Sequence, residues 1–475
     1  MTPDRALEQA ESWLGTPHRL HPALAIRGAA GSGKTALLQE FSERLPDAIY
    51  VDCRGLEAAD IARRLLREWG VPYEGRSLAD AARAITQDGI ALLANVHWAD
   101  SLVTSNEPSR ITQDMVGHFR RSARPTIRFV IERETDKPWV LLPSDNELVL
   151  QPPADAQADD EELHRLLNAH PALWALAASE LRVTPLAALT GLCSILGIES
   201  SAAHGLVGAA ERLPNLLVIS ADEPGQITAV FHAESLRHRI RQLRPVDHGT
   251  IVTALTLSLR RGATDVGNVP GAVQHYAART LGVHAVQAGR LDEVLSDGSA
   301  LAHLTPTGLL RALAVRWPGG IPQGGIAMDV HYLELLGLAS LPQEEWVSWL
   351  HHCALSRGEE RLADDIVREA GNRMPWRTTW SNCRPFGMFG RFGKSNVGAS
   401  GYPSTGGIEE RVRAALTEGS RKGAGPESRP PVRHIFDRGR DDISLFESQR
   451  LPCGDWLLEG ASGFSSLRWL LIPNR

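Results

Sequence analysis

The sequence predicts an α/β protein: a doubly wound, mostly parallel sheet, then a helical stretch interrupted by one hairpin, then a small β-containing module. Three observations predict it. Apolar runs of strand length alternate with helix-length periodic segments from residue 24 to about 152. A glycine-rich octapeptide, GAAGSGKT at 28–35, stands between the first such strand and the first such helix. Helical periodicity then dominates to about residue 391, where the composition turns to glycine, serine and proline. With 475 residues, 43% of them hydrophobic and 22% charged, the chain can bury cores for about two to four domains and is not a disordered tail.

The elements follow in order. The strand LAIR leads to the helix TALLQEFSERL, the strand AIYVD, the helix LEAADIARRLLREWG, and the strands IALLANV, TIRFVIE and ELVLQ. Strands separated by helices pair in parallel through right-handed crossovers, and ligands gather beyond their C-terminal ends. An acidic linker, ADAQADDEEL, opens a helical region that includes HRLLNAHPALWALAASEL and GTIVTALTLSLRR. Within it, LLVIS and ITAVFH flank the turn-rich ADEPGQ, so they form a hairpin after helices, the arrangement expected of a winged-helix domain. From about 392, FGKSNVGASGYPSTGG and RKGAGPESRPP read as linkers around a short helix, IEERVRAALTEG, and before the possible strands VRHIFD, DISLFE, DWLLEG and LRWLLIP. The expected domains are therefore 1–152, 153–244 (helical lid and winged-helix-like), 245–391 (α-helical) and 392–475 (linker and small β-containing module).

Several function classes are excluded or disfavoured. No apolar run reaches the length of a membrane span, and MTPDRALEQAESWLG lacks the basic-then-hydrophobic order of a leader, so a cytoplasmic protein with no membrane partner is expected. The five cysteines are scattered without CxxC spacing, which supports neither a disulfide framework nor a zinc site. A net charge of −6 gives no footprint for nucleic acid. The densest basic cluster, Arg237, Arg239, Arg241 and Arg244, is expected to be a solvated helix face. His351 and His352 point about 100° apart on a helix, and no HExxH pattern occurs, so a metal centre is not expected. Trp346 and Trp349 share a helix face and are expected in a core between helices.

The strongest motif is the octapeptide, which matches G-x-x-x-x-G-K-[ST] in the strand–turn–helix context that this phosphate loop requires. The cofactor-binding candidates are Gly28, Ala29, Ala30, Gly31, Ser32, Gly33, Lys34 and Thr35. Glycines let backbone N–H groups curl around phosphate oxygens, Lys34 meets the β and γ phosphates, and Thr35 ligates a nucleotide-bound Mg²⁺. The following helix N-terminus favours the anion. Only four lysines stand against 46 arginines, so a lysine at this position is unlikely to be a coincidence of composition. The cofactors implied are ATP or ADP with Mg²⁺.

Hydrolysis needs a carboxylate at the end of a neighbouring strand. In IALLANVHWAD, Ala94 and Asn95 occupy that place; alanine has no ligand atom and asparagine only a neutral carbonyl. Weak or absent hydrolysis is the expectation, with Asp100 as a possible rescue from the loop and Asp88 at the wrong end of the strand. A further strand ends in Glu132, Arg133 and Glu134, of which Arg133 is the candidate to pair with a phosphate.

The phosphate loop, VHWAD at 96–100, the strand ending in Arg133 and the ELVLQPP exit together resemble the STAND class of P-loop signal-transduction ATPases, with their NACHT/AAA-like nucleotide domain. The order of segments is similar from about residue 5 to 390; specific motifs extend only to about 135. The resemblance implies a P-loop NTPase fold followed by a winged helix and a helical or propeller sensor, and a switch that ADP-to-ATP exchange opens toward an oligomer. It also implies that His232, in VFHAESLRHRI, reaches toward the β-phosphate of bound ADP. The sequence departs from the class at Ala94 and Asn95, where acidic residues are usual, and in AHPALW, where only Pro171 is left of a Gly-x-Pro motif. The roughly 80 residues after 392 would supply about two propeller blades, fewer than a ring requires. The output is expected from a separate protein or from this tail, and the partner is expected to be an unidentified protein or a second copy of the chain.

The reading from sequence is an ATP-binding regulatory switch with a degenerate hydrolytic strand. The alternative is a nucleotide-independent interaction scaffold with a relic P-loop. A kinase-like phosphotransferase fares worst, because the carboxylates it needs are the ones absent from the expected strand.

Overall fold

A computed structural model describes residues 3–16, 23–29, 31–73, 77–134, 146–151, 160–214, 216–223, 226–261, 270–335, 337–381, 385–386, 445–450, 456–460 and 463–469. The chain divides into two compact units, Met1–Asp247 and His248–Arg475. No described helix is long and apolar enough to cross a membrane.

The first unit opens with α1 (Pro3–Gly15), β1 (Ala23–Gly28), α2 (Lys34–Arg44), β2 (Ala48–Asp52), α3 (Ala58–Glu68), α4 (Leu78–Arg83) and β3 (Gly89–Ala94). After a short helical segment, Val116–Ser122, come β4 (Ile127–Arg133) and β5 (Asn146–Leu150). These five strands form one sheet in the order β2-β3-β4-β1-β5, every pair parallel. Strands buried on both faces read as continuous apolar runs, which is why the IALLA segment of β3 lacks alternation. In α3, the pairs Ile61–Ala62 and Leu65–Leu66 are buried while Arg63, Arg64 and Arg67 are exposed, the spacing of one helix face. Gly70, at φ 70°, follows that helix in a left-handed conformation costly for other residues.

Two cores sandwich the sheet. On one face Ile61, Leu65 and Leu66 of α3 pack with Leu93, Phe119, Phe129 and Ile131. On the other, Leu37, Leu38 and Phe41 of α2 join Trp13, Leu24, Ile26, Leu92, Val130 and Leu150. Each such side chain contributes about 1.5–3 kcal/mol by leaving water. The doubly wound parallel sheet is thus the one that the alternation of elements predicts, and the C-terminal ends of β1, β3 and β4 lie side by side.

The rest of this unit holds helices Asp160–Ala169, Ala172–Ala178, Leu186–Ile195, Ser201–Ala210 and Glu234–Leu243, with β6 (Thr184–Pro185), β7 (Leu217–Glu223) and β8 (Gln226–Phe231). β7 and β8 pair antiparallel and β6 adds to β8. The arginine cluster at 237–244 is only in part the solvated face that its charge predicts: Arg244 is exposed, but Arg237 is not. Arg237 is 1% exposed, lies 3.0 Å from Glu234, and donates to the carbonyls of Ser179 (2.9 Å) and Arg182 (3.1 Å). Arg241 meets Glu180 at 3.1 Å, and Arg244 lies 3.7 Å over the Trp174 ring. Burial pulls Arg237 down to about 10, yet it remains charged at neutral pH because carbonyls and a carboxylate replace its water.

The second unit carries helices His248–Arg261, Pro270–Gln287, Pro306–Arg316, Ile326–Leu335, Gln343–Ser356 and Glu360–Ala370, with shorter ones between. It ends in a four-stranded antiparallel sheet ordered β10-β11-β12-β9, from β9 (Trp376–Ser381), β10 (Leu445–Arg450), β11 (Trp456–Gly460) and β12 (Gly463–Trp469). Trp376 and Trp380 therefore lie on a strand within the stretch 245–391 that was expected to be α-helical. The alternation of Trp376, Thr378 and Trp380 with β-branched threonine has the period of two that a strand requires. IEERVRAALTEG and VRHIFD lie outside the described residues. Trp346, Trp349 and Trp376 are buried, the last two edge to face with centroids 5.0 Å apart.

Candidate nucleotide-binding site

The turn after β1 is built from glycines at positions that exclude larger residues. Gly31 and Gly33 have φ of 76° and 84°. A Cβ on Gly28 would lie 2.3 Å from Ser32 Oγ and 3.0 Å from the Leu150 carbonyl. Gly33 immediately precedes α2, and its carbonyl accepts from Leu37 N at 2.9 Å, so the loop feeds directly into a helix N-terminus. Ala30 lies outside the described residues.

The loop's side chains converge on one cleft of about 250 Å³, lined by Gly31, Ser32, Gly33, Lys34, Thr35 and Ala36 together with His97, Trp98, Glu132, Glu134 and Ser235. Complete small-molecule pockets span about 300–1,000 Å³, so this volume suits the phosphate end of a nucleotide. Lys34 is 6% exposed and donates to the carbonyls of Gly28 (2.8 Å) and Ala29 (2.9 Å). Burial lowers its pKa, opposed by the charges of Glu132 and Glu134. Ser32 is buried, and its hydroxyl oxygen has no hydrogen-bond partner among the described residues. A buried hydroxyl without a partner is costly, and a phosphate oxygen would satisfy it.

Glu132 is the acidic residue that the sequence reading passed over. It is 2% exposed, at the end of β4, and accepts from Thr35 Oγ1 at 3.1 and 3.0 Å and from Asn95 N at 3.0 Å. Burial raises its pKa, countered by the Asn95 N–H, the Lys34 charge and the Thr35 hydroxyl. Asn95 adopts φ 53°, a left-handed conformation that asparagine tolerates. Its Nδ2 donates to Asp52 Oδ1 at 3.0 Å, at the end of β2, and its Oδ1 lies 3.4 Å from Thr35 Oγ1. β3 ends at Ala94, and the carboxylates that line the cleft, Glu132 and Glu134, come from the end of β4.

Other singled-out residues are placed elsewhere. Arg133, one residue past Glu132, points to the opposite face of the sheet, where it is paired in register with Arg27 and feels Glu147. Arg27 itself bonds Glu147 at 2.8 Å. His232 is exposed and does not line the cleft; its carbonyl accepts from Arg54 Nη1 at 3.4 Å. Three residues on, Ser235 in the first turn of Glu234–Leu243 reaches the cleft instead. Asp100 does not swing back from its loop: it is fully buried and accepts from Ser105 Oγ at 2.5 Å and Leu102 N at 3.3 Å. Asp88 accepts from Thr126 N at 2.7 Å, both residues just ahead of the strands β3 and β4.

A sequence signal for Glu132 did exist. In β4, Phe129 and Ile131 enter the α3-side core and Val130 the α2-side core, so alternation puts Glu132 with α2 and its loop, and Arg133 away from them.

No curated protein matches the chain significantly. A family model described as an AAA domain matches residues 18–104, from just before β1 through β3 and the loop that follows. With the five-stranded parallel sheet and the glycine loop opening α2, residues 18–104 are an AAA domain of the P-loop NTPase type.

Proposed function

We propose that the chain is a cytoplasmic, ATP-binding regulatory switch of the STAND kind, in which nucleotide phosphates hold the P-loop domain and the winged-helix-like segment 184–243 in one arrangement. The observation that carries this reading is the composition of the cleft: its walls come from the phosphate loop, from the loop after β3 and from Ser235. The order of two helices, the hairpin β7–β8 and a further helix supports the winged-helix assignment.

The physical link between these walls is a set of buried polar contacts. Arg182 is 5% exposed, lies 3.1 Å from Glu234, and donates from Nε to the Asp100 carbonyl at 2.8 Å. Glu234 precedes Ser235, and Asp100 ends the segment that carries His97 and Trp98. A ligand contacting both sides would favour whichever arrangement gives it the better contacts, which is all that a nucleotide needs to bias an equilibrium. Mg²⁺ on the nucleotide would be held by Thr35 and would neutralise phosphate charge. Lys34 would exchange its loop carbonyls for phosphate oxygens, and Ser32 would gain a partner. Slow hydrolysis belongs to this proposal: Glu132 already accepts hydrogen bonds from Thr35 and Asn95, an arrangement for holding a site rather than taking a proton from water.

Thermal unfolding tests the reading. ATP or ADP with Mg²⁺ should raise the melting temperature of the native chain, by an amount corresponding to about 2.7 kcal/mol at a hundredfold excess over Kd. Lys34→Ala should lose most of that gain. Equal, negligible shifts for both proteins would favour the scaffold reading instead.

A further inference from the structure

We propose that Glu132 is the carboxylate of the Mg²⁺ site, supplied from β4 in place of the acid that β3 lacks. This deepens the nucleotide-switch reading and rests on it.

Register makes the substitution possible. Leu93 pairs with Ile131 across β3 and β4, so Glu132 is level with Ala94, the position where an acid is missing. Glu132 also pairs with Ile26 of β1, two residues before Gly28. A strand that lies between β1 and β3 can therefore offer a side chain at the same height, and parity alone decides that it is Glu132 and not Arg133.

The contacts are those of a carboxylate that orients a metal ligand. Thr35 Oγ1 donates to Glu132, with both carboxylate oxygens within 3.1 Å, which leaves the hydroxyl lone pairs directed elsewhere, available to a cation. Asn95 fixes Glu132 from its backbone N–H at 3.0 Å, and Asp52 fixes the Asn95 amide. Ser32, buried in the same cleft with a hydroxyl that has no partner among the described residues, independently points to a ligand there. The charges agree: Glu132 and Glu134 line the cleft with Lys34 as the only cation among its lining residues. Phosphates alone would be repelled by this surplus, whereas a phosphate-bound divalent cation is attracted by it. Glu132 is thus a positioning residue that acts through Thr35 and through metal-bound water.

Calorimetric titration of ATP with Mg²⁺ and with EDTA tests this on the full-length native chain and on Glu132→Gln, which keeps the shape and one acceptor but removes the charge. Native protein should bind ATP about tenfold or more tightly with Mg²⁺. Glu132→Gln should move the two affinities in opposite directions: weaker with Mg²⁺ by about ten- to a hundredfold, stronger in EDTA because a like charge beside the phosphates is gone. A structural defect would weaken both. Adding Ala94→Asp to Glu132→Gln should restore the Mg²⁺ increment. If Glu132→Gln fails to fold by circular dichroism, Glu132→Asp takes its place and should reduce the increment at least severalfold, since the shortened side chain no longer reaches Thr35. An increment unchanged in the folded variant, or absent from the native chain, overturns the assignment of Glu132 while leaving nucleotide binding standing. Absence of ATP binding by the native chain in both media overturns the switch reading and this inference together.

Discussion

At the scale of single residues, the site is governed by small steric and parity choices. Gly28 has no room for a Cβ, because Ser32 Oγ would lie 2.3 Å away and the Leu150 carbonyl 3.0 Å away. Gly28→Ala should therefore displace Ser32 and lower nucleotide affinity by at least about tenfold, a loss of about 1.4 kcal/mol readable by calorimetry; unchanged affinity would mean that the loop relaxes freely. The loop was legible in sequence because its chemistry is local, eight consecutive residues in a required context. Glu132 was not, because it meets Thr35 across 97 positions of sequence and from a strand next to the expected one. The choice between Glu132 and Arg133 turned on which sheet face each occupies, and the longer cation was the more visible feature.

At the scale of elements, the five parallel strands were legible from their apolar runs, and the β7–β8 hairpin from its turn-rich interruption. In one element composition was taken for environment. The basic helix Glu234–Leu243 looked solvated, yet Arg237 is buried where backbone carbonyls of residues 179 and 182 replace water. Arg237→Ala should destabilise this unit by about 3–5 kcal/mol, since it leaves Glu234 short of a partner in a buried site; a loss under about 1 kcal/mol in chemical denaturation would contradict that account. Trp376 and Trp380 fall within the stretch 245–391 expected to be α-helical, although their alternation suits β9. That strand packs on the helix Gln343–Ser356, where burial lowers His351 to about 4 and His352 to about 3. His352 Nδ1 lies 2.9 Å from Thr378 Oγ1 of β9.

These two imidazoles give the second unit a pH signature with a definite sign. Their folded pKa values lie below the ordinary 6.5, so the unfolded chain binds more protons between pH 6.5 and about 3. Their contribution is fully present above pH 6.5 and is lost as pH falls through that window. Melting temperature measured from pH 7.5 to 4.5 should fall for the native chain, and His352→Asn should flatten the slope while lowering the plateau. A slope unchanged by that substitution would show that other groups set the acid response.

At the scale of the whole molecule, the chain combines an AAA domain at 18–104 with a hairpin-bearing helical segment, and a second unit of helices ending in a four-stranded sheet. The fold class of the first unit was available from patterning, since each strand, crossover and glycine agreed on one architecture. The C-terminal sheet was only partly legible, because β9 is separated from its partner β12 by a long glycine- and proline-rich stretch, and long-range pairing leaves no local mark. The central claim is that the cleft at Lys34 takes up adenine nucleotide. Isothermal titration of the full chain with ATP and with ADP, each with Mg²⁺, tests it most directly. The account predicts saturable uptake of one nucleotide per chain that Lys34→Ala abolishes or weakens at least about a hundredfold, roughly 2.7 kcal/mol; no saturable heat with either nucleotide at millimolar concentration would contradict it.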